Sequence, residues 1–118
     1  MEKGSQKIVN CPTEFTLKVL GGKSKTVVLC YLMEPPLQYA ELRQLIPKLS
    51  DKMLTEHLHD FVDSGLVLCR KADGKTGEVY VLAPKGQSLG GLPQELYYWG
   101  QTPDASFGVS VRWGGGVR

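Results

Sequence analysis

The chain has 118 residues, enough for one domain with a real core and too few for two. Its 42% apolar and 22% charged content is that of an ordinary soluble globular protein. No apolar run, the longest being TVVLCYLM, approaches the roughly 18–20 residues of a membrane span. A net charge of +2 does not by itself suggest nucleic-acid binding, so any phosphate-binding charge must be concentrated locally.

Residues 1–10 are polar, and the stretch is expected to be flexible. They carry no apolar run of the secretory kind, so a cytoplasmic protein without membrane contact is expected. Cys11 and Pro12 open a first helix, with proline at the first helical position, and Gly21-Gly22 closes it after Leu20. A second helix is expected from about Lys23 to Met33, with Val27, Val28, Tyr31 and Leu32 turned inward and Pro35-Pro36 as its stop. Leu37–Tyr39 then reads as a short extended piece.

The next segment, LQYAELRQLIPKLSDKMLTEHLHDFVDSGLVLCRK, holds two short amphipathic helices around a proline turn and runs into a strand. Tyr39, Leu42, Leu45 and Ile46 form one apolar stripe; Leu54, Leu58, Phe61 and Val62 form the next. Pro47 ends the first helix because the residue before a proline is pushed out of helical conformation. Ser50 is an N-cap for the second, Leu49 and Leu54 have hydrophobic-staple spacing, and Gly65 is its C-terminal stop. This order is that of a helix-turn-helix, whose second helix is presented to a DNA groove.

LVLCRK and EVYVL are strand-like runs separated by the turn-rich ADGKTG, which makes a β-hairpin. A helix-turn-helix followed by a hairpin is a winged helix. From Pro84 the chain becomes helical again, with Leu89, Leu92, Leu96 and Trp99 in one stripe. Gly90-Gly91 and Pro93 predict a kink or break. The organisation expected is a mobile 1–10, a domain over 11–99 and a Gly-rich flexible tail over 100–118, pinned at most by Phe107 or Trp113. The fold class is α+β: a winged helix-turn-helix with additional N- and C-terminal helices.

CPTEFTLKVLGGK, YAELRQLIP, LSDKMLTEHLHDFVDSGLV and EVYVLAPKGQSL, in this order, resemble the HxlR-type transcriptional regulators, small MarR-related proteins of bacteria and archaea. The resemblance runs from Cys11 to about Trp99. It implies that the added helices are dimerisation helices, with Phe15, Leu89, Leu92, Leu96 and Trp99 at the seam of a homodimer. It also implies double-stranded DNA as the partner, with a palindromic operator. At the position matching Cys11, several members carry a cysteine that senses oxidants or electrophiles. The family usually has arginine where His59 stands and tryptophan where Ser24 stands.

Several residues are therefore candidate DNA contacts. Lys52 can reach guanine O6/N7, and Ser50 or Thr55 a phosphate or base edge, with Glu56 and His59 on the same polar face. Arg70, Lys71 and Lys75 belong to the wing. Lys23 and Lys25, at a helix start where cations oppose the dipole, want an external anion. Cys11, at a helix N-terminus, is the candidate redox sensor for an oxidant or small-molecule effector. The three cysteines have no metal-ligand spacing, and His57 and His59 are not one turn apart, so neither a metal nor a cofactor is expected. No catalytic constellation is present in the sequence, and an enzyme is not expected. The competing expectation is a winged-helix protein-interaction module without DNA binding, suggested by the low charge, Ser24, His59 and an acidic second helix.

Overall fold

A computed structural model describes residues 8–33, 35–71, 74, 77–101 and 103–111. In chain order the elements are α1 (Pro12–Leu20), α2 (Lys23–Tyr31), α3 (Tyr39–Leu45), α4 (Asp51–Ser64), β1 (Val67–Lys71), β2 (Glu78–Leu82), a one-turn α5 (Pro84–Gln87), α6 (Leu92–Gln101) and a 3-10 turn at Ala105–Phe107. The expected winged helix-turn-helix is this architecture. Trp113, and residues 1–7 of the expected mobile start, lie outside the described residues.

Local chemistry sets most boundaries. Pro12 sits in the first turn of α1, where its missing N–H costs nothing, and Gly21 closes the helix with its N–H on Leu17 O at 3.0 Å. α2 ends at Tyr31, with Leu32 as its cap, two residues before the expected end. Gln38 and Glu41 form a capping box on α3, the Gln38 N–H donating to Glu41 Oε1 at 2.7 Å. Ser50 Oγ accepts from Met53 N at 3.1 Å, which satisfies one of the free donors of α4. At the other end Gly65 takes φ 86°, a left-handed conformation that glycine adopts without strain.

β1 and β2 pair antiparallel from Val67↔Leu82 to Lys71↔Glu78. Leu37 adds a single bridge to the outer edge of β2, exchanging bonds with Tyr80 at 3.1 and 2.7 Å. The extended piece before α3 thus ties the helix-turn-helix to the wing.

The core lies where α2, α3 and α4 meet the base of the hairpin, and is built from Val28, Leu29, Leu32, Leu42, Leu54, Leu58, Phe61 and Val67. Val62 corrects the expected stripe. It is 40% exposed, because the helix presents only Leu54, Leu58 and Phe61 to the core.

The break expected near Gly91 spans Ser88–Gly91, with Gly90 at φ 61°. Pro93 is not its cause: as the second residue of α6 it lies in the first turn, where proline is accommodated, and it is buried. Gly86 on α5 has a steric role. A Cβ there would lie 2.3 Å from the carbonyl oxygen of Leu66, so only glycine lets α5 pack against the start of the hairpin. The helix continues past Trp99 to Gln101, and Phe107 then stacks edge-on against Trp99 at 5.8 Å between centroids.

Candidate nucleic-acid interface

α4 has a buried face and a solvent face, and the solvent face carries Lys52, Thr55, Glu56 and His59 together. At its leading end Ser50 is exposed and acts as the cap, so the hydroxyl is already engaged by Met53 N–H. The remaining N–H groups and the positive end of the helix dipole favour an anion there. A groove of about 280 Å³ separates α4 from the hairpin and is lined by Tyr39, Thr55, His59, Cys69 and Tyr80, with Val62 and Asp63 at its edge. Arg70 and Lys71 are exposed on β1, at the far end of the hairpin, where Lys71 lies opposite Glu78. Lys75 is outside the described residues.

The structure does not bring all the expected cations to this face. Lys25 already has its anion: Nζ lies 3.2 Å from Asp60 Oδ2 on α4 and 5.5 Å from the centre of the Phe61 ring. The expectation that it seeks an external phosphate is therefore corrected by an internal carboxylate 35 residues away in sequence. Lys23 lines a separate groove among α1, α2 and α6, together with Leu17, Cys30 and Leu96.

Three interactions of this region have no signal in the sequence pattern. Tyr39 and Arg43 on α3 both hold Asp51, the first residue of α4, at 2.6 and 3.0 Å. Ser24 Oγ and His57 Nε2 are 2.9 Å apart and join α2 to α4. Burial pushes the His57 imidazole below its ordinary pKa and the nearby Lys25 ammonium adds to this, while Asp60 and Glu56 oppose it. Lys85 on α5 donates to the Ser64 carbonyl at 3.0 Å, placing a cation on the C-terminal end of α4. Ser24 is conspicuous in the sequence; its partner is not, because helical periodicity says nothing about which helix lies opposite.

The cysteines are chemically distinct. Cys11 is the exposed N-cap of α1. Its sulfur makes no cap bond of ordinary geometry, yet the backbone N–H groups of Glu14 and then Thr13 lower its thiol pKa. Cys30 is buried with Sγ on the Pro93 carbonyl at 3.2 Å, and burial pushes it up to about 11. Cys69 is raised by burial and by Glu78, whose carboxylate accepts its S–H at 3.2 Å.

The expected seam residues also divide. Leu89 and Leu92 pack against the chain's own core, whereas Phe15, Leu96 and Trp99 remain exposed, Trp99 by 74%. Among the described residues no group of His, Cys, Asp and Glu is placed to hold a metal, and no helix is long and apolar enough to cross a membrane.

A family model described as HxlR-like helix-turn-helix matches residues 19–105. The HTH-type transcriptional regulator YkvN of Bacillus subtilis (strain 168) is 38% identical over 92 residues, covering 77% of this chain and 78% of that protein. Among solved structures, the redox regulator HypR in its oxidized form superposes with a TM-score of 0.69 at 27% identity, over 80% of this chain and 98% of that one. The reduced form of the transcriptional regulator YodB from B. subtilis gives a TM-score of 0.62 at 28% identity, over 80% and 94% of the two chains.

Proposed function

The chain belongs to the HxlR-like helix-turn-helix family, whose members are DNA-binding transcriptional regulators and not enzymes, and from that premise we propose how its own residues do this work. It acts in the cytoplasm as a homodimer on a palindromic operator. α4 enters the major groove with Lys52 and Thr55 toward the bases, and Glu56 and His59 further along the same face. Ser50 and the N-terminus of α4 receive a phosphate. Arg70, Lys71 and Lys75 meet the flanking backbone. The observation that carries this reading is the solvent face of a capped α4 standing beside the basic β1.

Phe15, Leu96 and Trp99 are the proposed dimer contacts. Cys11 is the proposed sensor of an oxidant or electrophile. Its support is the lowered thiol pKa at an exposed helix start, set against the raised values of Cys30 and Cys69. A redox role is what the name of HypR carries.

Selection of duplexes from a random-sequence pool, followed by titration of the enriched duplex, tests the DNA reading. Lys52→Ala is expected to lose about 1–3 kcal/mol on that duplex and to relax its sequence preference. Lys71→Ala is expected to weaken all duplexes alike and to flatten the salt dependence by about one unit. Enrichment of no duplex defeats the reading and favours the protein-interaction module, for which the carboxylates of α4 speak. Limiting iodoacetamide followed by mass spectrometry tests Cys11; first modification at Cys30 or Cys69 refutes the sensor.

A further inference from the structure

Asp51 places a carboxylate at the end of α4 that leads into DNA. An acidic residue in the first turn suits the helix dipole. It also occupies the region where the free N–H groups would receive a phosphate oxygen, and two negative charges there repel each other. The structure resolves this conflict from α3. Tyr39 Oη donates to Asp51 Oδ1 at 2.6 Å, and Arg43 Nε lies 3.0 Å from the same oxygen. Arg43 Nη1 donates as well to the carbonyl of Leu49, in the turn between the helices. Tyr39 and Arg43 are four residues apart and so share one face of α3, which grips both the turn and the first residue of α4.

The ion pair by itself adds little to stability. The Asp51 side chain is 75% exposed and that of Arg43 30%, and ion pairs so open to water contribute little to folding. Their consequence falls instead on the direction of α4 and on the charge at its leading end. We propose that Tyr39 and Arg43 are positioning residues for sequence readout: acting through Asp51, they set the entry of α4 and neutralise its first carboxylate, so that Ser50 and Lys52 can face DNA. This rests on the DNA-binding reading above. Neither residue touches DNA in this scheme, which separates it from a direct arginine–phosphate contact.

The test is fluorescence anisotropy of the full chain with two duplexes, one enriched from a random pool by the parent protein and one scrambled, over a salt series. Tyr39→Phe, which removes one hydroxyl from a half-buried ring, and Arg43→Gln are each expected to weaken the enriched duplex about ten-fold, the scale of one misplaced base contact. Binding to the scrambled duplex should weaken far less, through the phosphate repulsion alone, and the salt slope should stay as in the parent. In an Asp51→Ala background each replacement should have a smaller effect than in the parent, what remains being the bond of Arg43 to the Leu49 carbonyl and of Thr55 Oγ1 to Tyr39 Oη. Arg43→Lys keeps the charge without the fork that spans Asp51 and Leu49, so it should recover only part of what Arg43→Gln loses. A salt slope flattened by about one unit in Arg43→Gln, persisting without Asp51, would make Arg43 a phosphate contact and overturn the proposal. Parental binding by Tyr39→Phe, or full rescue by Arg43→Lys, overturns it too. If the parent enriches no duplex, the DNA reading itself has failed, an outcome separate from these.

Discussion

Phe61 on α4 is 1% exposed and Trp99 on α6 is 74% exposed, although each belongs to an apolar stripe of an amphipathic helix. Around Phe61, α2, α3, α4 and the hairpin bury one another's apolar faces, and their polar side chains meet in pairs such as Lys25–Asp60 and Arg43–Asp51. On α6, and on α1 as well, apolar side chains are left in water, with Phe15, Leu17, Leu96 and Tyr98 all about half exposed. Periodicity alone does not distinguish the two cases. A stripe records that a helix has an apolar partner, and the tertiary structure decides whether that partner is in the same chain.

Replacing one residue in each half sharpens the contrast. Phe61→Ala is expected to cost about 3–5 kcal/mol in urea unfolding, through lost burial and the cavity left behind. An equal loss of protomer stability for Trp99→Ala, measured at a concentration where the protein is monomeric, would erase the distinction between the halves. Trp99→Ala should act instead on self-association, weakening a dimer by about 2 kcal/mol or more if Trp99 is an interface anchor, as read by sedimentation. Parental association would remove Trp99 from the seam. Ser50→Ala should cost about 1 kcal/mol in unfolding by freeing the Met53 N–H, with no change in association.

The smallest effect expected is the pH dependence from the part-buried His57. The folded-state pKa of His57 lies below the ordinary 6.5, through burial and Lys25, with Asp60 and Glu56 in opposition. The unfolded chain therefore binds more protons just below pH 6.5. The contribution is complete above that value and declines as pH falls through the folded-state pKa. Urea midpoints should fall more between pH 7.5 and 5.5 for the parent than for His57→Gln. Equal falls would remove His57 from the pH dependence of stability.

Elements governed by neighbours in the chain are legible in the sequence. Pro12 and Gly21 bound α1, Pro47 and Ser50 separate α3 from α4, and Gly65 ends α4, each through a backbone preference that acts over a few residues. The polar face of α4 is legible for the same reason, since Lys52, Thr55, Glu56 and His59 follow from periodicity once Leu54 and Phe61 are inward. The wing is legible in two strand-like runs around ADGKTG, and resemblance supplies the expectation of a dimer.

By itself, then, the sequence determined most helix and strand boundaries, the family and the exposed face of α4, because these depend on short-range sterics and on ordered motifs. Only the tertiary structure decided that Lys25 belongs to Asp60 and Ser24 to His57, partners 35 and 33 residues apart. It also decided that Leu89 and Leu92 turn to the core while Leu96 and Trp99 do not, and that Tyr39 and Arg43 converge on Asp51. Such pairings depend on the crossing of helices and on the turn at Ser88–Gly91, which set distances between residues that no local preference relates.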